Sequence, residues 1–470
     1  MEAVPEGKPV EGPRRGLWEA LAEDIDAAPP SSATNLWASL EDRLDFSRSK
    51  PRRAPQVEVV CQVASSGAEY YILHSTQANT YLKIDAQDYF LWQHLDGEHT
   101  VRDLAVAYFA AYKSFPLDRL VRLLDQLKAK RLLDETPVDV MGGITLRLEE
   151  HTLAYRLQRF AATSMQKEIS LRNVDGFFAT VYRRLAWPLF TRPGLITCVA
   201  VSIAGLVLFV RTLLVGTYPL FQTAGSYGLG LLVLFLAINV LVFLHESGHA
   251  LTVKHYGRTV LKGGFLFYYG SPAFFVDTTD IWMAPKEARV ATSFAGVATT
   301  LILGGVLLTA VTLFPASPLS PVLFQVAAMG YLTVVVNLAP FMELDGYYVL
   351  VDLLEIPLLR RKSLAFASKR LPRKLLREHT PFSHEEKIFA TYGLLTGAYT
   401  VFFVLSAIYI WRSYVRGLIE AVFSGEDILA TVLVSGLVIM AGIPLILGLI
   451  VKAALLIGAG ATRLRAAVRR

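Results

Sequence analysis

"VLVFLHESGHALTV", residues 240–253, sets His245, Glu246 and His249 inside a run that otherwise reads as the middle of a membrane helix. An ionisable group at bilayer depth costs about 3 kcal/mol or more, so three of them within five residues require a compensating partner. Helical positions four apart differ by only about 40° of rotation. His245 and His249 therefore offer two imidazoles to one point, with Glu246 beside it. Two imidazoles at that spacing suit zinc, and a neighbouring carboxylate suits the general base for a metal-activated water. The pattern H-E-x-x-H arises by chance in on the order of one such chain in a hundred. The rest of the sequence must therefore supply a membrane and a third ligand.

The membrane is legible in the composition. Of 470 residues, 53% are hydrophobic, above the share usual in soluble domains. From residue 190 onward, apolar spans recur near 194–214, 227–250, 288–314, 321–350, 387–411 and 429–457. These six spans have the length a bilayer requires. Basic residues flank them in four groups: Arg183, Arg184 and Arg192; Lys254, Arg258, Lys262, Lys286 and Arg289; the stretch from Arg360 to Arg377; and Arg463, Arg465, Arg469 and Arg470. With six alternating spans all four groups fall on one side. This positive-inside pattern predicts a multi-pass protein of the inner (cytoplasmic) cell membrane with both termini cytoplasmic. The net charge of +6 then serves topology, and no nucleic-acid partner is expected. Two cysteines, Cys61 and Cys198, exclude a disulfide framework and a cysteine zinc site. Residues 1–30 carry no apolar core of a signal peptide, so a cleavable one is not expected.

The other ionisable cluster at membrane depth is "VVVNLAPFMELDGYYVLVDLLEIP", residues 334–357, where Asn337, Glu343, Asp345 and Asp352 interrupt the fourth span. Asp345 is the best third ligand. Pro340 breaks the helix and Gly346 frees the backbone, so the chain can turn an acid toward a neighbouring helix, and irregular backbone survives in a membrane where it is buried or lines a cavity. Glu343 and Asp352 read more simply as marks of the span's emergence from the bilayer.

The stretch "KGGFLFYYGSPAFFVDTTD", residues 262–280, reads as a membrane-apposed hairpin bounded by glycines and Pro272. A hairpin there can offer an edge strand to an extended substrate, since a helical substrate hides its scissile amide. The plainer alternative is an aromatic interfacial loop. Asp277 and Asp280 read as caps or as partners of the basic residues, and His255 reads as a solvated interface residue.

Upstream, residues 1–55 read as a disordered tail. Residues 56–137 read as a small cytoplasmic α+β winged-helix-like domain: three β-like runs, "VEVVCQVA", "EYYILHST" and "NTYLKID", then three short helices, with Thr100 and Asp103 as a capping pair and Leu120, Leu123, Leu124 and Leu127 on one face. Residues 138–190 read as an amphipathic linker, 191–460 as a mainly α, six-helix membrane core, and 461–470 as a basic cytoplasmic tail.

H-E-x-x-H in one span, followed in a later span by N-x-x-P-x-x-x-L-D-G (Asn337, Pro340, Leu344, Asp345, Gly346), resembles the site-2 protease family of intramembrane zinc metalloproteases. The resemblance covers residues 190–460 and implies that His245, His249 and Asp345 hold Zn2+, that Glu246 is the catalytic base, and that Asn337 holds the substrate backbone or the oxyanion. The stretches "FFVDTTDIW" and "DGYYVLVDLLEIP" are similar to bacterial peptide zinc metalloproteases, and "LWQHLDGEHTVRDL" resembles a domain that holds leader peptides. This implies peptide or membrane-protein substrates and partners in peptide export or modification. In one place the chain departs from the family: A-G-P-x-x-N in the third span is here Ala295, Gly296, Val297, Ala298, Thr299, Thr300, and the resemblance gives that span no substrate contact.

Hydrolysis of peptide bonds is thus the expected activity. A non-cleaving membrane peptide-binding or export component is the alternative, and an intact Glu246 counts against it because a binder needs no base. A zinc transporter or sensor fits less well, since three ligands, a base and a helix break match hydrolysis better than permeation.

Overall fold

The computed structural model describes residues 46–64, 67–114, 117–134, 166–268, 271–378, 381–410, 412 and 428–436. The described chain is mainly helical, with a small N-terminal sheet and five helices long and apolar enough to cross a membrane. Most of the predicted 1–55 tail, the first part of the predicted linker, the basic end and all but residues 429–436 of the predicted sixth span lie outside the described residues. Contacts divide the chain into two compact units: one holds residues up to Val59 and Leu73–Pro137, the other Val60–Ile72 and everything from Val138.

The N-terminal sheet runs in the order β1 (Val57–Val63), β2 (Glu69–Ser75), β3 (Thr80–Asp85). Helices α1 (Ala86–Gln93), α2 (Val101–Tyr112) and α3 (Leu117–Ala129) follow. The amphipathic stripe of α3 buries Leu120, Leu123, Leu124 and Leu127 beside Leu91, Trp92, Leu95 and Leu104, because apolar side chains three and four apart share a helix face. Thr100 and Asp103 close a reciprocal capping box at the start of α2. Arg119 reaches back from α3 to Asp88 at 2.6 Å and to Asp85.

The second unit opens with β4 (Gln166–Ser170) and α4 (Val174–Val181), both at the end of the predicted linker. The helices α5 (Arg192–Val215) and α6 (Tyr227–His255) follow. Strands β5 (Lys262–Tyr268) and β6 (Ser271–Asp277) form the expected hairpin, and β4 adds to its far side to give the order β4-β5-β6, antiparallel throughout, with Phe265 opposite Phe274. Helices α7 (Lys286–Leu313) and α8 (Ser320–Leu338) complete the first four spans. The predicted fourth span is divided: α8 stops at Leu338 and α9 (Asp345–Leu354) begins after Pro340, since proline offers no amide to continue the ladder. The short α10 (Leu359–Ala365) and the fifth span, in α11 (His384–Ile410), follow.

Helix α7 is the axis of this unit. Within its apolar window 44% of residues are buried, against 6% for α5, so α5 shows most of its surface to the outside and α7 packs on its neighbours. Tyr392 of α11 donates to the Pro340 carbonyl at 2.6 Å, satisfying an acceptor that the helix break leaves free. Below α6, Val174, Phe178, Ala250, Val253, Val260, Phe274 and Ile281 form one core cluster that fastens the sheet to the end of the helix.

The capping box gives a test. Thr100→Ala is expected to cost about 1 kcal/mol of local stability, read as lower amide protection over residues 101–104. Hydrogen bonds from the Thr100 side chain and backbone hold Asp103 below its ordinary value, and the amides of His99 and Glu98 do the same for Asp96. A carboxylate lowered in the folded state contributes stability that is present above the ordinary carboxylate range and lost as pH falls through the folded value. Protection at the start of α2 is therefore expected to hold at about pH 5 and to fall below about pH 3, and an Asp103→Asn variant should lack most of that pH dependence.

Candidate metal centre

The site is built on α6, α7 and the start of α9. His245 and His249 are 7% and 8% exposed, and their Nε2 atoms face each other at 3.3 Å. The hydrogen-bond partners of the opposite ring nitrogens fix the tautomers. The Thr292 carbonyl, 2.6 Å from His249 Nδ1, can only accept, so Nδ1 carries the hydrogen. The Thr300 hydroxyl donates to the Gly296 carbonyl at 3.0 Å, so it accepts from His245 Nδ1 at 3.1 Å. Each Nδ1 therefore carries a hydrogen, and a ring that is neutral presents its lone pair on Nε2.

Asp345 brings a third donor. Its Oδ2 lies 2.8 Å from His245 Nε2 and its Oδ1 3.5 Å from His249 Nε2, yet Oδ2 is buried without a hydrogen-bond partner. Two imidazoles and one carboxylate brought this close could hold a cation, and with both rings neutral they form a donor set that zinc accepts. Gly296 keeps the space beside the rings open: a Cβ placed on it would come within 2.3 Å of both Nε2 atoms. At the helix break, a Cβ on Gly346 would come within 2.3 Å of the Leu338 carbonyl, so glycine lets the α9 start turn back against the end of α8.

Glu246 stands beside the imidazoles, its carboxylate within 4.8 Å of both histidine ligand nitrogens. Its Oε2 accepts the Val276 amide of β6 at 3.2 Å. Among the described residues only β5 pairs with β6, so that amide points outward, and by the two-residue period Phe274 presents its backbone polar groups to the same outer side. The free edge of the sheet therefore runs along the carboxylate. A cleft of about 460 Å³ on this sheet is lined by Glu168, Lys262, Leu266, Phe275, Val276 and Asp277.

The remaining sequence candidates are distributed as follows. Asn337 is half-buried in the last turn of α8, and among the described residues no hydrogen bond joins it to the cluster. Glu343 is exposed and meets Arg360 at 3.4 Å. Asp352 pairs with Arg289 at 3.2 Å. His255 packs between Tyr182, at 2.8 Å from its Nδ1, and the Phe190 ring, away from any ligand position. Asp280 is buried and holds Arg258 at 2.6 Å and the Thr259 amide at 2.8 Å, while Asp277 caps Thr279. The sequence reading missed Thr292, Thr300 and Gly296. Thr300 stands where the family pattern has asparagine, so the departing segment still carries a side chain that orients a histidine.

No protein-family profile matches the chain, and no solved structure matches it. Over 128 residues it is 27% identical to a protein of Bacillus subtilis (strain 168) provisionally named peptide zinc metalloprotease protein YydH. That stretch is 27% of this chain and 48% of the relative, so the chain spans about half the length of the curated relative it matches. The likeness and the His-Glu-His cluster are together compatible with a zinc metallopeptidase.

Gly296→Ala is expected to abolish metal retention, because the added methyl occupies the space between the imidazoles. Thr300→Val, which keeps the shape and removes the acceptor, should weaken zinc affinity about 10–100-fold. Equilibrium dialysis with a competing chelator measures both.

Proposed function

We propose that the chain is an intramembrane zinc endopeptidase of the site-2 protease type, acting on membrane-associated or modified peptides. The observation that carries this reading is the meeting of His245, His249 and Asp345 side chains with a carboxylate that touches the β6 edge left unpaired among the described residues. Held by those residues, zinc supplies a Lewis acid for the scissile carbonyl and lowers the pKa of water to about 7.

The chain's own groups do the rest. The β6 edge receives the substrate as an added strand, which exposes an amide that a helical substrate would keep in its own hydrogen bonds. An added strand claims the outward Val276 amide for its own carbonyl, and Glu246 is then released from that hydrogen bond. The freed carboxylate takes a proton from water and passes it to the leaving amine. Asn337 holds the substrate backbone or the oxyanion once substrate is bound. The low exposure of both imidazoles keeps the site dry enough for these charges to act strongly.

The wider assignment is of the same kind. Six spans place both termini in the cytoplasm of an inner membrane by the positive-inside pattern. Residues 56–137 hold a leader peptide and raise its concentration at the membrane, an effective-concentration gain that requires no added chemistry. The partners are then the peptide substrate, the lipid bilayer and components of peptide modification or export, with no role for nucleic acid.

The purified chain is expected to hold about one zinc, with His245→Ala, His249→Ala and Asp345→Asn each lowering the metal content. Glu246→Gln should keep the metal and lose about 10²–10⁴-fold in hydrolysis, since ligands hold the ion and the base moves a proton. Full zinc content in Asp345→Asn would refute the ligand assignment. The substrate is named by comparing what copurifies with Glu246→Gln and with the wild type by mass spectrometry: an uncut polypeptide is expected with the variant alone.

Removal of residues 1–137 should slow cleavage of that native substrate far more than cleavage of a generic unstructured membrane peptide, with zinc content unchanged. Equal slowing of the two would assign the segment to folding or assembly.

A further inference from the structure

Arg289 is 5% exposed on α7, seven residues before Gly296. Asp352 lies seven residues after Asp345 on α9. Seven residues are two helical turns, about 10 Å, so the two helices meet at two levels on the same faces. At one level Gly296 makes room for the imidazoles that Asp345 approaches. At the other, Arg289 Nε donates to Asp352 Oδ1 at 3.2 Å and Ser293 donates to Oδ2 at 3.4 Å.

Helix α9 is a short lever. It has ten residues, follows the helix break at Pro340 and has no side-chain cap at Leu344. With Asp345 in its first turn, any slide or rotation of the helix moves the carboxylate relative to both imidazoles. The pair with Arg289 is a directional restraint on the far end of that lever, because a guanidinium is a planar fork whose donors fix orientation as well as distance.

Besides the Ala284 carbonyl at 3.5 Å, the rest of that fork meets residues of the β1–β2 hairpin that belong to the same compact unit. Arg289 donates to the Tyr70 hydroxyl at 3.0 Å and to the Gln62 side-chain oxygen. Tyr70 donates to that oxygen at 2.6 Å. The Gln62 amide in turn donates to the carbonyls of Ala284 at 2.8 Å and Trp282 at 3.2 Å, just before α7. Gln62 thus spends both of its donors on the α7 approach and its oxygen on Arg289 and Tyr70.

We infer that Arg289 and Asp352 are positioning residues for the third metal ligand, and that Gln62 and Tyr70 orient Arg289, so that the seating of the hairpin is felt at the metal centre. The inference rests on the metal-centre reading above.

The test uses the full-length chain in detergent micelles, loaded with Co2+, whose visible absorption reports ligand geometry independently of activity. Asp352→Asn and Arg289→Gln are expected to shift the cobalt spectrum and to weaken zinc affinity about tenfold or more. Arg289→Lys, which keeps the charge but loses the fork, should fall between them and the wild type. Gln62→Ala, which leaves the ion pair in place, should shift the spectrum in the same direction by a smaller amount; it decides the matter if the ion-pair variants fail to fold. Wild-type spectra and affinities in both Asp352→Asn and Gln62→Ala would overturn the inference while leaving the metal centre intact. A wild-type chain that binds neither cobalt nor zinc would overturn the metal centre and this inference together.

Discussion

Two imidazole nitrogens face each other at 3.3 Å, each ring with a hydrogen on its far nitrogen, and in an apolar surround a third group, a proton or a cation, must stand with them. This is the constraint on which the rest of the membrane unit depends. Lone pairs repel, and the lipid offers no water to separate them. A cation would resolve the conflict, and the surrounding residues would accommodate one. Gly296 clears the volume between the rings, Thr292 and Thr300 turn the rings to present Nε2, and the break at Pro340 ends one helix so that another can start with Asp345 in its first turn.

The same logic governs the polar groups just beyond the core. Asp175 takes both the Lys254 ammonium at 2.7 Å and the Val260 amide at 2.8 Å, and Asp280 does the corresponding work for Arg258 and Thr259. Each acid satisfies one cation and one backbone amide where α6 ends and the chain turns toward β5. These bonds fix the hairpin's entry, and the apolar cluster of Phe274, Phe178 and Val253 fixes its face. The free edge of β6 is then held at a set height on α6, which is why Val276 meets Glu246 rather than another residue of the helix.

Much of this was legible in the sequence because it follows from local periodicity. The i, i+4 histidines, the apolar runs and the Pro–Gly break are patterns of spacing, and spacing survives without knowledge of the fold. The hairpin was readable from its glycines and aromatics. What the sequence withheld was partnership between distant segments. Nothing in "QKEIS" at residues 166–170 announces that it pairs with β5, because five polar-rich residues carry no strong strand signal. The backbone carbonyl of Thr292 orients His249, and a carbonyl has no sequence signature at all. Thr300 could have been found by asking what stands at the position where the family pattern has asparagine.

Asp352 shows where reading by position alone falls short. From the sequence it is an acid near the end of an apolar run, which suits emergence from the bilayer. In the folded chain it faces Arg289, and an arginine that is 5% exposed could not stay in the helix packing without an acid to meet it. The two charges therefore require each other, and their pairing fixes the register between α7 and α9. Helix α7 thus carries two tiers of polar contact two turns apart: small residues and hydroxyls where the imidazoles lie, and a guanidinium beside Asp352. A span with a single polar tier could slide or rotate on its neighbours at little cost. Two tiers on one face allow only the register in which both are satisfied, and that register brings Asp345 to the histidines.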